Sequence, residues 1–539
     1  MNSAIPEIFF IGVGATATVP GTIAQMGFKA FNLARLAAVG ARVPPAFVFG
    51  TAVCREFYGR GEKLPERALE LLTPAVQSLE RASQLTLGSA RRPLLVSVRS
   101  GAPVSMPGMM ETILNIGLCD ATLPGMLRLF GNPRLAWDCY RRLVQGFGEI
   151  VHGIDGKPFD AVLRRQLDAV GADRAQDLDF RALRDLTREY LEIFAGEAGV
   201  PFPQSPTEQL RAAIAAVLHS WNAPKACAYR RTQGIDGAVG TAVTIQQMVF
   251  GNADGSSGSG VAFTRDPSTG ENRLYLDFAV RAQGEDVVSG RVGLSHNGDF
   301  ATELPEVHRQ LLDIRQLLEA EFQDAQEFEF TVQSGALYLL QTRTAKRTPL
   351  ASLRIAVEMV DEGVIDAPAA LQRVGDLDSS SLEIATIDEG TGTLLARGTA
   401  ASIGVAVGEI SFEARDALAR VHSGAAVILV REDIATSDIE GIQAAAGVLT
   451  TRGGRTSHAA VVARQLGKPC VVACELLRID ADQLSCRFGD VTLHRGDIIS
   501  LDAATGRVLL GRAQERRQRP QELLARVAAW RTAASAAAA

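Results

Sequence analysis

The sequence is poor in the features that would place it in several common classes. Cysteine is scarce: Cys54, Cys119, Cys139, Cys227, Cys470, Cys474 and Cys486 are the full set of seven in 539 residues. An odd, scattered set implies no disulfide framework and points to a reducing, cytoplasmic setting. Cys470 and Cys474 are the one close pair, but nothing nearby completes a tetrahedral zinc set, so buried strand thiols are expected. No stretch of about eighteen uninterrupted apolar residues occurs, which argues against a membrane span. The opening MNSAIPEIFFIGVG has neither a basic n-region nor a cleavage site and reads as a strand rather than a signal peptide. An excess of one charge is missing too. A net charge of −6 over this length leaves no broad basic footprint for nucleic acid. Finally, GxxxxGK[ST] is absent, so a P-loop is not the cradle of any bound nucleotide.

What is present is apolar material, 47% of residues, enough for the three or four domains, roughly, that the length suggests. A helix is expected over Lys29 to Val39, stopped by Gly40, then a strand from Ala46 to Phe49 and a polar amphipathic helix over 65–85. Leu94 to Val98 reads as a strand ending at Arg99. Residues 120–235 look mainly helical. Strand signals follow at Ala242–Phe250, Gly260–Thr264, Leu274–Val280 and in a hairpin over 327–343, with Asp254–Ser259 a loop by composition. Residues 349–385 look like a helical connector. A strand-rich α/β unit begins near Gly390, with helices at about 437–444 and 457–466 between its strands. The Ala-rich, basic tail after Gly511 reads as a helix that docks on this last unit or frays.

Three elements before residue 350 suit phosphate. Ser97-Val98-Arg99-Ser100-Gly101 ends a strand and leads into Ser105-Met106-Pro107-Gly108, small residues that can turn N–H groups toward an anion beside an arginine fork. A tight turn with a surface arginine is the competing reading. Ser256-Ser257-Gly258-Ser259-Gly260 suits a flexible lid over a nucleotide, and equally an ordinary hairpin loop. In the hairpin, Glu327, Glu329 and Thr331 share one face, while Gln341 and Arg343 share a face of the return strand. Such a set is able to hold Mg²⁺ and a terminal phosphate; an ordinary charged sheet face is the alternative.

A nucleophile candidate lies further on. Thr451-Arg452-Gly453-Gly454-Arg455-Thr456-Ser457-His458 follows a strand and runs into the helical AAVVARQLGKP. Thr456 or Ser457 is a natural N-cap, which puts His458 in the first turn beside unpaired N–H groups, favourable for a phosphorylated imidazole. A lone first-turn histidine is more often a cap or a satisfied polar residue.

Taken together, LLVSVRSGAPVSMPGMMETILNIGL, AWDCYRRLVQGFGEIVHGI, AVTIQQMVFGN, SGSGVAFTRDPSTGE, AQGEDVVSG, EFTVQSGALYLLQTRTAKRT and LTTRGGRTSHAAVVARQLGKPCVVAC resemble, in order, the pyruvate, phosphate dikinase and phosphoenolpyruvate synthase family. The matches run through most of residues 25–511. The resemblance implies an α/β and α+β multidomain chain. It would have an ATP-grasp-type nucleotide domain over 1–350 with a helical insertion at 120–235, a connector at 351–385, a swivelling phosphohistidine domain over 386–511, and a tail at 512–539. It implies ATP and Mg²⁺, phosphate contacts from Lys29, Arg99, Gly108, Arg142, Ser259 and Arg343, and a nucleotide contact from Glu285. Glu329 and Gln341 would be the metal pair and His458 the phosphorylated residue. Thr456 matches a regulatory phosphorylation site of plant members.

The family's GGKGAN stands here as Gly27-Phe28-Lys29-Ala30-Phe31-Asn32, Arg455 replaces an apolar residue, and Arg281 replaces a small polar one. The family's pyruvate-binding (β/α)₈ barrel has no counterpart in the chain. The expectation is therefore an ATP-dependent phosphotransferase that loads His458, releases AMP with pyrophosphate or phosphate, and delivers to an acceptor on a separate subunit or barrel protein, with inorganic phosphate as a possible co-substrate. The alternatives are a truncated dikinase and a non-catalytic nucleotide-binding regulatory subunit.

Overall fold

The computed structural model describes residues 8–14, 19–104, 106, 109–172, 174–288, 295–375, 382–388, 391–434, 438–455, 457–480, 482 and 484–538. The chain divides into two compact units, residues 1–255 with 336–342, and residues 256–335 with 343–539.

In the first unit, short β-branched and aromatic runs form β1 (Ile8–Ile11), β2 (Ala46–Phe49), β3 (Val96–Gly101), β4 (Thr112–Ile116) and β5 (Ala242–Gln247), ordered β1-β2-β5-β3-β4 and antiparallel throughout. β5 returns to the centre of the sheet after a helical excursion. That excursion includes Leu123–Phe130, Pro133–His152, Lys157–Val170, Phe180–Ala198, Pro206–His219 and Pro224–Thr232. Prolines and side-chain caps start these helices. At Pro133–His152, Asn132 accepts a hydrogen bond from Leu135 N at 3.1 Å and proline fills the first turn, where no N–H is needed. Phe47, Phe49, Val98, Val243 and Ile245 are buried in one core with Leu135, Cys139, Tyr190 and Phe194 from the helices.

The helix expected from Lys29 begins earlier, at Ile23, because Gln25 Oε1 accepts from Thr22 N at 3.0 Å and closes the first turn. It kinks at Gly27, whose φ is +75°. A Cβ there would lie 1.8 Å from Gly101 O at the end of β3. Phe28 N then donates to Ala102 O at 2.8 Å. This contact between residues far apart in sequence sets where Lys29 emerges.

In the second unit, β6 (Gly258–Phe263), β7 (Tyr275–Val280), β8 (Ser295–His296) and β9 (Gln326–Gln333) form antiparallel neighbours in the order β9-β6-β7-β8. The sequence expectation of a loop through Ser259, and of a flexible glycine lid through Gly260, is corrected here: Gly258, Ser259 and Gly260 are buried strand residues. The reason is steric. A Cβ at Gly258 would meet the Phe278 ring at 2.0 Å and one at Gly260 the Phe330 ring at 2.5 Å. Those two rings stack with centroids 5.9 Å apart. The glycines make room for aromatics rather than for motion.

Just past β6, Arg265 is completely buried and clamped by carboxylates from two helices. Glu319 of the helix Pro305–Phe322 accepts from Nε and Nη2 at 3.0 and 2.9 Å. Glu358 of the helix Pro349–Asp361 accepts from Nη1 at 3.2 Å, and Glu362 beyond it also pairs. β10 (Ala336–Thr344) carries the chain between units, its residues up to Thr342 belonging to the first. There Asn32 Nδ2 donates to Thr342 O at 3.0 Å and Leu339 N to Arg42 O at 2.9 Å.

The remaining strands are β11 (Ile384–Ile387), β12 (Thr393–Arg397), β13 (Thr399–Ala400), β14 (Val405–Ser411), β15 (Val427–Arg431), β16 (Gly447–Thr450), β17 (Cys470–Val472), β18 (Leu477–Ile479), β19 (Ser485–Phe488), β20 (Val491–His494), β21 (Ile498–Asp502), β22 (Arg507–Leu510) and β23 (Glu515–Gln518). Eight of them make one sheet, β12-β22-β21-β14-β15-β16-β17-β13. Its middle, β14-β15-β16-β17, is parallel. Parallel strands need crossovers, and helices Ala414–His422, Ile439–Ala444 and His458–Gln465 supply them. The first of these was not expected from the sequence. Side chains alternate between two cores, Ile428, Val430 and Leu449 on one face and Val427, Leu429 and Val448 on the other. That two-sided burial explains the near-continuous apolar runs.

The tail also departs from expectation. It opens with β23 paired to β11, and its helix Gln521–Ala538 buries Val527 with Leu353, Val374 and Leu382, the connector core, rather than docking on the last sheet. The architecture is a mixed α/β multidomain one with no closed barrel among the described residues.

Replacing Gly27 by alanine forces a left-handed residue and a backbone collision, so a loss of at least about 1–3 kcal/mol is expected, read as a lower unfolding midpoint. Gly196→Ala, in a helix interior with nothing within 4 Å, should leave the midpoint unchanged or raise it.

Candidate functional site

The phosphate-type candidates of the first unit gather around β3. Arg99 projects from the strand with its guanidinium shared between two amides, Nη1 donating to Gln246 Oε1 at 3.5 Å and Nη2 to Gln341 Oε1 at 3.4 Å. Arg99 and Gln341, singled out separately in the sequence, are thus brought together, with Gln246 of β5 as a partner the sequence did not suggest. These long, amide-only bonds leave the positive charge uncompensated by them. Lys29 follows the Gly27 kink and is half-buried.

Arg142 sits on the helix Pro133–His152, where its Nε donates to Asp138 Oδ2 at 2.9 Å. Arg141 Nη2 donates to the other carboxylate oxygen at 2.8 Å. Burial works to raise the Asp138 pKa, but Arg142 and Arg141 outweigh it and hold the carboxyl well below the usual range. Asp138 therefore stays ionised and fixes the orientation of Arg142. Gly108 lies outside the described residues.

In the second unit, Ser259 and Thr331 face each other across β6 and β9 with their hydroxyls 3.0 Å apart. Glu329 stands two residues along the same face of β9, opposite Val261, and is half-buried. Arg343 pairs with Glu327, next on that face. Burial acts to lower the Arg343 pKa, yet Glu327 and then Glu329 more than offset it, so the guanidinium is a permanent cation. Alternation gave the shared face of Glu327, Glu329 and Thr331, whereas the pairing of Glu327 with Arg343 depends on hairpin register. Glu285 belongs to the short helix Gly284–Val288.

His458 is the first residue of the helix His458–Gln465. Ser457 is its N-cap, the Oγ accepting from Ala460 N at 3.4 Å. This helix start follows the carboxyl end of the parallel strand β16, the edge where open α/β sheets carry their ligands. The connecting loop is held by its own backbone. Arg452 N donates to Glu432 O at 3.0 Å and Ser457 N to Gly454 O at 3.1 Å. Gly453 has a φ of +99°, and a Cβ on it would press on Ser457 Oγ at 3.0 Å, so the glycine keeps the cap accessible to the helix. Thr456 lies outside the described residues. Cys470 and Cys474 are buried, and burial pushes their thiols up to about 12 and about 11. Among the described residues no group of three or more His, Cys, Asp and Glu side chains is arranged to hold a metal.

The Asp138 cluster carries a pH signature. A folded-state pKa below the unfolded one contributes stability above the ordinary carboxylate range, and that contribution is lost as pH falls through it toward the folded value. The unfolding midpoint should fall on acidification over that window. Asp138→Asn should flatten this dependence while costing about 3–5 kcal/mol at neutral pH, because two buried guanidiniums lose their anion.

Comparison with known proteins agrees with this layout. Residues 62–297 match the pyruvate phosphate dikinase AMP/ATP-binding domain, and residues 424–506 match the mobile domain of PEP-utilising enzymes. The chain is 40% identical over 515 residues to the chloroplastic pyruvate, phosphate dikinase of Flaveria trinervia, covering 95% of this chain and 54% of that protein. It is 41% identical over 500 residues to the enzyme of Rhizobium meliloti (strain 1021), covering 90% and 56%, and 39% identical over 509 residues to that of Clostridium symbiosum, covering 94% and 58%. The chain spans a little over half the length of these relatives. Through its AMP/ATP-binding domain and its mobile domain, the chain belongs to the pyruvate, phosphate dikinase family.

Proposed function

We propose that this chain carries out the nucleotide half of a dikinase-type phosphotransfer, with His458 as the nucleophile. The observation that carries this is the place of His458, opening a capped helix at the carboxyl end of a parallel strand in a domain of the mobile, PEP-utilising type. A ring nitrogen of neutral His458 attacks the β-phosphorus of ATP. The N–P bond forms as the bridge from the β-phosphorus to the α-phosphate oxygen breaks, and AMP leaves. The terminal phosphoryl is then taken by inorganic phosphate, giving pyrophosphate, or by water, giving phosphate. One phosphoryl group stays on His458 for an acceptor bound by another polypeptide or domain, and the relatives' names make pyruvate the first acceptor to test.

In this reading Lys29, Arg99, Arg142 and Arg343 spread the phosphate charge. Such stabilisation is the main work in phosphoryl transfer, and it favours cations held in place beforehand. The amide pair around Arg99 and the carboxylate behind Arg142 provide that hold. Ser259 and Glu285 would contact the nucleotide, as would the Gly108 loop, and Thr456 would be a modification site beside the histidine. Glu329 and Gln341 carry the oxygen donors that Mg²⁺ prefers. Bound there with ATP, the ion would neutralise part of the phosphate charge. Domain boundaries near 350, 385 and 511 and a cytoplasmic setting complete the reading. No helix among the described residues is long and apolar enough to cross a membrane.

Incubation with Mg²⁺ and ATP labelled at the β-phosphate should place acid-labile label on the protein and release AMP. His458→Ala should abolish the label. Absence of both label and AMP from the wild-type chain would reject the reading in favour of a regulatory nucleotide-binding role. Stimulation by inorganic phosphate, with pyrophosphate as product, would select the dikinase route over the water route. Arg99→Ala should slow labelling by roughly 100-fold, the scale for removing one preorganised donor from a developing charge, while thermal stability changes little.

A further inference from the structure

The sheet that bears His458 and the strand pair β6–β7 lie within one compact unit, and arginine–aromatic contacts join them. Arg455, three residues before His458, holds its guanidinium 4.6 Å from the centroid of Tyr275 on β7. Arg464, on the helix that His458 opens, lies 5.6 Å from the centroid of Phe263 on β6. Tyr275 is buried, and its hydroxyl donates to Ala400 O of β13 at 3.4 Å. The contact thus involves both strands of the pair on one side and both the loop and β13 on the other.

Arg464 is fully buried, yet no carboxylate pairs with it among the described residues. Its Nη1 donates instead to Arg455 O at 2.7 Å and Ala401 O at 2.8 Å, both in its own domain. Nε and Nη2 have no hydrogen-bond partner, and Nε of Arg455 has none either. These nitrogens lie against aromatic rings, where a weakly hydrated guanidinium is attracted by the ring face without a counter-ion. Burial raises the Tyr275 pKa despite both arginines, so the phenol remains protonated and able to donate. Arg464 therefore fixes the carbonyl of the residue whose side chain covers Tyr275. A contact of this kind suits a part that must dock and leave. It is directional, it is modest in strength, and its opening strands no buried carboxylate.

We propose that the Arg455–Tyr275 contact seats the His458 segment against the β6–β7 sheet for the nucleotide half-reaction, with Arg464 as the positioning residue that holds Arg455 in place. This rests on the reading of His458 as the nucleophile. Neither Arg455 nor Tyr275 is assigned a nucleotide contact, so their loss should slow transfer without weakening ATP binding.

The test is single-turnover labelling from β-labelled ATP, measured over a range of ATP concentrations in the full chain. Arg455→Met and Tyr275→Leu should each lower the maximal labelling rate roughly tenfold with the half-saturating ATP concentration unchanged. The double variant should be no slower than either single one, and Tyr275→Phe, which keeps the ring, should retain most of the rate. Hydrogen exchange gives a readout independent of activity: amides of β7 and β13 should exchange faster in Arg455→Met and Tyr275→Leu. Unchanged rates, multiplying effects in the double variant, or a shift confined to ATP affinity would overturn the proposal. So would unchanged exchange at β7 and β13. If the wild-type chain takes no label, the His458 reading fails, and exchange alone still decides whether the contact docks the segment.

Discussion

The second unit depends on the burial of one guanidinium. Arg265 leaves β6 with no access to water, and a charge in that position persists only when fully paired. Its three partners arrive from separate directions, Glu319 from one helix and Glu358 and Glu362 from the end of another. Satisfying Arg265 therefore fixes where the connector helix Pro349–Asp361 lies against the sheet. The chain after Arg265 reinforces this. Asp266 Oδ1 accepts from Ser268 N at 2.8 Å, and Ser268 O accepts from Thr348 Oγ1 at 2.7 Å. Thr348 in turn caps the connector helix, accepting from Ala351 N at 3.1 Å. A motif that reads as a catalytic signature is, in its second half, the mounting for the arm that carries His458.

Small residues in phosphate-binding proteins are commonly read as mobility or as backbone approach to a ligand. Two here serve packing and placement. Gly27 exists because Gly101 O comes too close for any side chain. Gly258 and Gly260 exist because Phe278 and Phe330 lie over β6. The result is a strand without side-chain bulk on one face, stiffened by rings from its neighbours. Around the histidine, by contrast, glycine does the expected work of a sharp turn, and the loop's carbonyls are held by Ser457 N and by Arg464.

Most strands and the helix start at His458 were legible in the sequence, because two-sided burial writes itself as apolar runs and a capped helix follows Ser457 directly. The common face of Glu327, Glu329 and Thr331 was legible from alternation alone. What was not legible depends on partners distant along the chain. The kink at Gly27 needs Gly101. The strand at Gly258–Gly260 has a loop's composition and is decided by two phenylalanines. The pairing of Arg343 with Glu327 needs the hairpin register, and Arg99 with Gln246 needs the strand order. The helix Ala414–His422 has only Ala417 buried, so its pattern is faint. The tail's attachment to the connector was hidden because β23 is short and charged, with its partner β11 more than a hundred residues earlier.

The way β10 is divided has a consequence for how such a protein can be taken apart or recombined. Residues 256–335 leave the first unit, and residues 336–342 come back to it before the chain departs again. The returning segment is fastened through Asn32 and Arg42 and delivers Gln341 to Arg99. A fragment ending at Gly255 would thus lack both a piece of its own framework and one of the groups that orient its arginine. The two halves are interleaved along the polypeptide rather than strung in series, so shuffling, fusion or limited digestion has natural seams only beyond Arg343, and everything before that point must be inherited together.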